Sequence, residues 1–136
     1  DGYPLLVTTT ASLGSLNQKL QEGGETPVPM SRFRSNLVVE NDVAFLEHNF
    51  DSLVVESDTS LEINLCKPCE RCKVTSIDQF SGISEFPQQP LKTLMTMDHV
   101  AKKGAFFGQN GVISEGTKEK LPVTIKLDDR VQFVDK

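Results

Sequence analysis

Apolar and polar positions fall into short blocks along this chain, and the blocks predict many strands and few helices. Tyr3 to Thr8 is rich in Leu and Val and has Pro4 near its start, where a missing backbone donor is tolerated, so it reads as a short buried strand. Leu13, Leu16 and Leu20 then recur on one helical face; Thr10 or Ser12 can cap that helix and Gly23-Gly24 can stop it. In that helix Ser12 and Asn17 read as capping and packing groups rather than ligands. Pro27 and Pro29 mark a loop, and Leu37-Val38-Val39 has the length and branching of a buried strand. Ser52 to Glu56 and Ser60 to Leu65 flank the turn-rich Ser57-Asp58-Thr59 and predict a hairpin that delivers Cys66. Lys73 to Ile77 alternates polar and apolar residues and predicts the returning strand. Gln79 to Pro90, with Gly82, Pro87 and Pro90, reads as a surface excursion, and Pro90 to Leu94 as the start of a short helix with Pro in its first turn. Taken alone, Phe107-Gly108-Gln109-Asn110 reads as an ordinary turn.

Composition narrows the class. A chain of 136 residues fits one domain with a modest core, and 38% hydrophobic with 24% charged residues is ordinary for a globular protein. The net charge of -5 argues against a general binder of nucleic-acid backbones, although Arg32, Arg34, Arg71 and Lys73 could form a local basic pocket. No apolar run approaches the ~20 residues of a membrane span, and no signal-peptide pattern opens the chain, so a cytoplasmic location is expected. The chain starts at Asp1-Gly2-Tyr3-Pro4 without Met, which suggests a piece of a longer protein.

The chemistry is concentrated in Cys66-Lys67-Pro68-Cys69-Glu70-Arg71-Cys72, which holds all three cysteines. Thiols at this spacing can bind a metal, carry sulfur, form a redox pair or fill a core. Iron–sulfur clusters usually need four thiolates, and there is no fourth cysteine. A tetrahedral zinc site would need His48 or His99 as the fourth ligand, neither at finger-like spacing. The odd thiol count points to a reducing compartment or a reactive cysteine. Arg71 and Lys73 flank Cys72, and adjacent cations favour the thiolate. Because Pro68 has no N–H to give a sheet, the chain should leave its strand there and present Cys69 to Cys72 in a loop. Arg34 reads either as a fork of donors aimed at a ligand or as a solvated strand-end charge, and His48 as a proton donor or a structural ring.

These residues carry a resemblance. Pro68-Cys69-Glu70-Arg71-Cys72, followed by Val74-Thr75-Ser76-Ile77-Asp78 and Gly82, resembles the signature of MOSC domains, the molybdenum cofactor sulfurase C-terminal family. Ala11 to Asn17, Arg32 to Asn36, Pro90 to Leu94 and Phe107 to Asn110 resemble further family motifs in the family's order. The similarity is greatest to the branch of amidoxime-reducing components and the bacterial relatives that confer resistance to N-hydroxylated bases. Ser35 stands where the family prefers Pro, His48 and Phe50 replace an acid and a Trp, Asp128 replaces a Gly, and Thr117 to Pro122 looks inserted as a surface loop.

The resemblance implies a β-rich α+β fold, a barrel-like MOSC-type domain with a few short helices over residues 1–136. It implies a longer protein with an N-terminal MOSC-associated β-domain and, as in some relatives, a ferredoxin-like module. The implied cofactor is molybdenum-pyranopterin (Moco), with Cys72 as the catalytic residue and thiolate ligand of molybdenum; Arg34, Asn36 and Arg71 would steady the pterin and its phosphate, and Thr75 and Asn110 would line the site. Gly108 would let the backbone approach that cofactor closely. The implied activity is reduction of an N-hydroxylated small molecule, with electrons from an iron–sulfur or flavin protein. Pyridoxal phosphate binding is a further attribute attached to the family. Two rivals stay open: a sulfur carrier with a persulfide on Cys72 or Cys69, and a non-catalytic zinc module using Cys66, Cys69, Cys72 and a histidine.

Overall fold

The computed structural model describes residues 3–121 and 124–135. Its strands are β1 (Leu5–Thr9), β2 (Leu37–Val39), β3 (Ser52–Val55), β4 (Asp58–Glu70), β5 (Phe106–Ile113) and β6 (Val131–Val134). They form one sheet in the order β2-β1-β5-β4-β3-β6, curled into half a barrel. Only β1 and β2 run parallel, and the helix α1 (Thr10–Glu22) lies between them in the chain; every other neighbouring pair is antiparallel. Two short helices, α2 (Leu91–Leu94) and α3 (Glu115–Lys118), complete a β-rich α+β fold.

The expected strand–helix opening is present, with a different cap. Thr9, in extended backbone, accepts the amide of Ser12 on its hydroxyl, so the last strand residue caps α1 rather than Thr10 or Ser12. Leu16 and Leu20 are fully buried, and Gly23 closes the helix by donating to the carbonyls of Lys19 and Leu20. Asn17 donates to Val28 O (2.9 Å) and accepts from Val28 N (2.8 Å), which fastens the proline-rich loop to the helix.

Two apolar clusters stabilise the sheet. One gathers Leu16, Leu20, Val28, Phe33, Leu94, Ala105 and Phe107, with the rings of Phe33 and Phe107 stacked at 4.0 Å. The other gathers Val7, Leu53, Ile63 and Leu65. The β3–β4 hairpin forms as its alternation predicts.

Four expectations fail for identifiable reasons. Leu37 to Val39 is a strand, but an edge one: Val38 is 49% exposed, because β2 has a neighbour only on its β1 side. Lys73 to Ser76 is a 3₁₀ turn instead of a returning strand, because Thr75 and Ser76 donate their hydroxyls to the carbonyls of Cys72 and Lys73 (3.0 and 2.7 Å). Such local bonds compete with a ladder. Phe106 to Asn110 is strand β5 rather than a turn. Of the apparent insertion, Thr117 is buried in α3; it donates to Ser60 O and accepts from Glu62 N, both at 2.8 Å, so this segment clasps β4 instead of looping free. Pro122 lies outside the described residues.

Candidate functional site

The cysteine strand does not end at Pro68. β4 runs on to Glu70, and two irregularities absorb the proline. Between the pairs Leu65↔Gly111 and Lys67↔Asn110, β4 advances two residues and β5 one, so Cys66 is the extra residue. Between Pro68↔Gln109 and Glu70↔Phe106, β4 advances two and β5 three, so the second bulge lies on β5. Gly108 sits there with φ +84°, and a Cβ on it would meet Leu6 Cδ1 at 2.8 Å, Thr8 Cγ2 at 2.9 Å and Val7 O at 3.2 Å. The close approach that this glycine permits is therefore to β1.

The three thiols have three different settings. Cys66 is exposed in its bulge, Cys69 is buried, and Cys72 is exposed just after the strand ends. The Arg71 guanidinium does not sit at Cys72 as its sequence position suggested. It reaches back to Cys69 Sγ (3.3 Å), donates to Phe33 O (2.8 Å) and lies over the Phe33 ring, while its amide donates to Ala105 O (2.7 Å). Arg71 thus ties the end of β4 to the Met30–Phe33 turn and to the residue before β5.

Cys72 is held by its own backbone. Its carbonyl accepts both the amide (3.1 Å) and the hydroxyl (3.0 Å) of Thr75, a buried residue. Arg32 braces this turn from outside, donating from Nη1 to Thr75 O (3.3 Å) and Ser76 O (3.2 Å). Two residues on, Arg34 adopts left-handed backbone (φ 56°) and is exposed. It lines an open groove of about 410 Å³ with Met30, Ser31, Ser35, Val38 and Gln79; Cys72 is not part of that lining. Ser35, where the family prefers Pro, pairs its hydroxyl with Thr8 Oγ1 at 2.8 Å, which steadies the turn another way.

The two asparagines fall on one line across the sheet. Asn36 Oδ1 accepts Leu6 N (2.7 Å) and its amide donates to Leu6 O (3.0 Å); Leu6 pairs with Asn110, which pairs on its other side with Lys67. The side-chain amide nitrogen of Asn36 has no hydrogen-bond partner among the described residues, and Asn110 is buried at 5% exposure. The structure therefore links the turn that ends at Arg34 to the turn that carries Cys72 and Thr75, without bringing Arg34 and Cys72 into one groove, sets Asn36 and Asn110 along one row, and turns Arg71 inward.

No group of three His, Cys, Asp or Glu among the described residues is placed to hold a metal ion. The rival zinc module of the cysteines and a histidine is not assembled among the described residues: Cys69 faces Arg71, His48 Nδ1 bonds Gln109 Oε1 (2.7 Å), and His99 Nε2 bonds Phe106 O (2.6 Å).

Sequence reasoning missed a second polar cluster. Glu47 is fully buried, and it accepts from Ser12 (3.1 and 3.0 Å) and Thr9 (3.2 Å). Burial pushes its carboxyl up from the usual range, against the opposing pull of its hydrogen bonds. His48 and His99 lie beside it, both pushed down by burial. The available signal was Glu47-His48 inside the aromatic stretch Phe45 to Phe50.

Residues 1–132 match the family model described as "MOSC domain". Human mitochondrial amidoxime reducing component 2 is 37% identical over 94 residues, 69% of this chain and 26% of that protein. Human mitochondrial amidoxime-reducing component 1 is 28% identical over 136 residues, 98% of this chain and 38% of that protein. The molybdenum cofactor sulfurase of Aspergillus terreus is 25% identical over 138 residues, 95% of this chain and 16% of that protein. The chain thus spans well under half the length of these relatives. With Cys66 and Cys69 of its signature in β4, Cys72 on the braced turn after it, and a family match over residues 1–132, the chain belongs to the MOSC domain family.

Proposed function

We propose that this chain is the molybdenum-pyranopterin-binding domain of an oxidoreductase that reduces N-hydroxylated compounds. One observation carries the reading: the turn that offers Cys72 and the turn that offers Arg34 are bolted together, Arg32 holding the carbonyls of Thr75 and Ser76 and Arg71 holding Phe33 O. A soft thiol and a guanidinium, each exposed and each without a side-chain hydrogen bond among the described residues, are thereby carried on linked turns. The donor set fits the group: an exposed thiolate is a soft metal ligand, and a guanidinium fork matches phosphate.

In this reading Cys72 is the ligand of molybdenum and Arg34 takes the phosphate. The free amide of Asn36 and the side chain of Asn110 serve the polar edges of the pterin. Arg71 and Thr75 act as positioning residues, in place of the pterin contact and the site lining that the resemblance implied for them. When bound, the group supplies the two-electron reduction that removes oxygen from the substrate nitrogen. The chain's own part is to hold the thiolate, neutralise the phosphate and keep the Cys72 turn from moving.

The single domain over residues 1–136 would work within a longer protein, with an N-terminal β-domain and electrons from an iron–sulfur or flavin partner. Support comes from the relatives, of which it spans 26% and 38%. None of the described helices is long and apolar enough to cross a membrane. The expected cytoplasmic location becomes, more broadly, a reducing compartment suited to three free thiols, and the names of the amidoxime-reducing relatives point to mitochondria.

The test is to express the longest natural form in cells that make the cofactor, then measure molybdenum, zinc and released pterin per chain for wild type and Cys72→Ser. Molybdenum with pterin in the wild type, both depleted in the variant, is the expected result. Zinc without pterin would sink the reading. A persulfide on Cys72 with no metal would replace it with sulfur transfer, a role suggested by the similarity to a cofactor sulfurase.

A further inference from the structure

Away from the Cys72 turn, two half-buried imidazoles lie against the beginning of β5. His48 Nδ1 donates to Gln109 Oε1 (2.7 Å), which leaves Nε2 as a bare lone pair. His99 Nε2 donates to Phe106 O (2.6 Å), which leaves Nδ1 bare in the same way. Both bare nitrogens are buried and have no hydrogen-bond partner among the described residues. The two rings stand 5.7 Å apart, and the Phe45 ring stacks on His99 at 3.9 Å and lies 6.2 Å from His48. Both partners of the fixed tautomers, Phe106 O and Gln109, belong to β5.

A buried lone pair is tolerable, whereas a buried N–H⁺ with no acceptor costs much more. Protonating either ring would put a donor into an aromatic pocket that offers it no acceptor. Protonating both would place two like charges at 5.7 Å. The charged neighbours are Glu47 and Asp98, which favour a cationic His99, while His48 and His99 oppose each other's charge. Glu47 is already engaged by Ser12 and Thr9, and Asp98 is exposed.

We propose that His48 and His99 form a proton-operated latch: with both rings neutral, the Leu46–Asn49 turn and the 95–104 segment are clamped onto the start of β5, and proton uptake releases them. This does not rest on the cofactor reading, since every group in it lies outside the proposed ligands.

Burial depresses both histidines from the ordinary 6.5, with the bonds to Gln109 and Phe106 O pulling weakly the other way. The open form therefore binds more protons than the closed one. The latch contribution is complete above about pH 6.5 and is lost as pH falls from there towards the lowered closed-state values. Glu47 runs the opposite way: its raised carboxyl favours the closed form below 4.5, and that contribution fades as pH rises through the raised value. Acidification thus opens the histidines against Glu47, and Glu47→Gln removes the opposition.

The test is amide exchange on the whole chain between about pH 7.5 and 5, with each rate divided by the unstructured rate at that pH. Protection over 44–50 and 95–107 should fall about tenfold per pH unit for each proton taken up on opening, while the 52–65 hairpin keeps its protection. The effect should persist in Glu47→Gln and vanish in the double variant His48→Phe with His99→Phe. Should that variant fail to fold, the ring-proton titrations of the wild type decide, because the latch requires both midpoints below 6.5. Midpoints at or above that value, flat protection across the range, or loosening that survives in the folded double variant would each overturn the latch.

Discussion

The Cys72 corner and the His48–His99 corner treat their reactive groups in opposite ways. At the first, backbone carbonyls are saturated by Thr75, Arg32 and Arg71 so that a thiol and a guanidinium can remain unattached at the surface. At the second, a fully buried carboxyl and two half-buried imidazoles turn inward, and two ring nitrogens stay buried without partners elsewhere in the described structure. The difference teaches that rigidity and reactivity are arranged separately here: the outer corner is stiff and presents its groups, while the inner one is closed only as long as its rings stay neutral.

Phe107 links the two, stacked on Phe33 at 4.0 Å and edge-on to Phe45 at 6.5 Å. Phe107→Ala should therefore loosen both corners and cost about 3–5 kcal/mol, the range for truncating a buried ring. Urea unfolding checks the size; exchange confined to one corner would break the link.

Arg71→Ala removes a guanidinium bond to a backbone carbonyl and the packing over Phe33. Because the side chain is half-buried, about 1.5–3 kcal/mol is the expected loss. The midpoint in urea reports it, and protection over 44–50 should be unaffected if the corners are independent.

Thr75→Val keeps the shape and deletes one of two bonds to the Cys72 carbonyl, so about 1 kcal/mol should be lost. Faster exchange confined to 72–77 would localise the effect; no change would mean that the amide bond alone holds the turn.

The smallest effect on stability should come from Cys72→Ser, within about 0.5 kcal/mol for an exposed site. Alkylation of the native wild type should modify Cys66 and Cys72 quickly and Cys69 only on unfolding, as read by mass. Rapid labelling of Cys69 would contradict its burial beneath Arg71.

What the sequence made legible followed from local rules. The α1 leucines and the β3–β4 hairpin each depend on spacing along the chain, and each is where spacing placed it; of the loop expected from Cys69 to Cys72, Cys72 lies beyond the strand while Cys69 stays in β4. The failures came from choices between local and distant partners. Nothing in Lys73 to Ile77 says that Thr75 and Ser76 will bond backwards instead of joining a ladder. Nothing near Pro68 says that β5 will bulge to meet it, although the glycine that allows this is visible at 108. The direction of Arg71 was not legible, because its targets, Phe33 O and Cys69, come from a distant turn and from two residues back along the chain. Glu47 and His99 are 52 positions apart by number, so the inner corner could not be read as one cluster.

The two bulges of the β4–β5 pair carry their extra residues on opposite strands, Cys66 on one and the Gly108 region on the other. They act as insertions of opposite sign in a reading frame of period two, and together they restore the phase that either alone would destroy. The spacing of the three cysteines is thus a phase condition as well as a chemical one. Deleting Lys67 or Pro68 would turn the rest of the motif through half a period, sending Cys69 outward, even with every thiol still present.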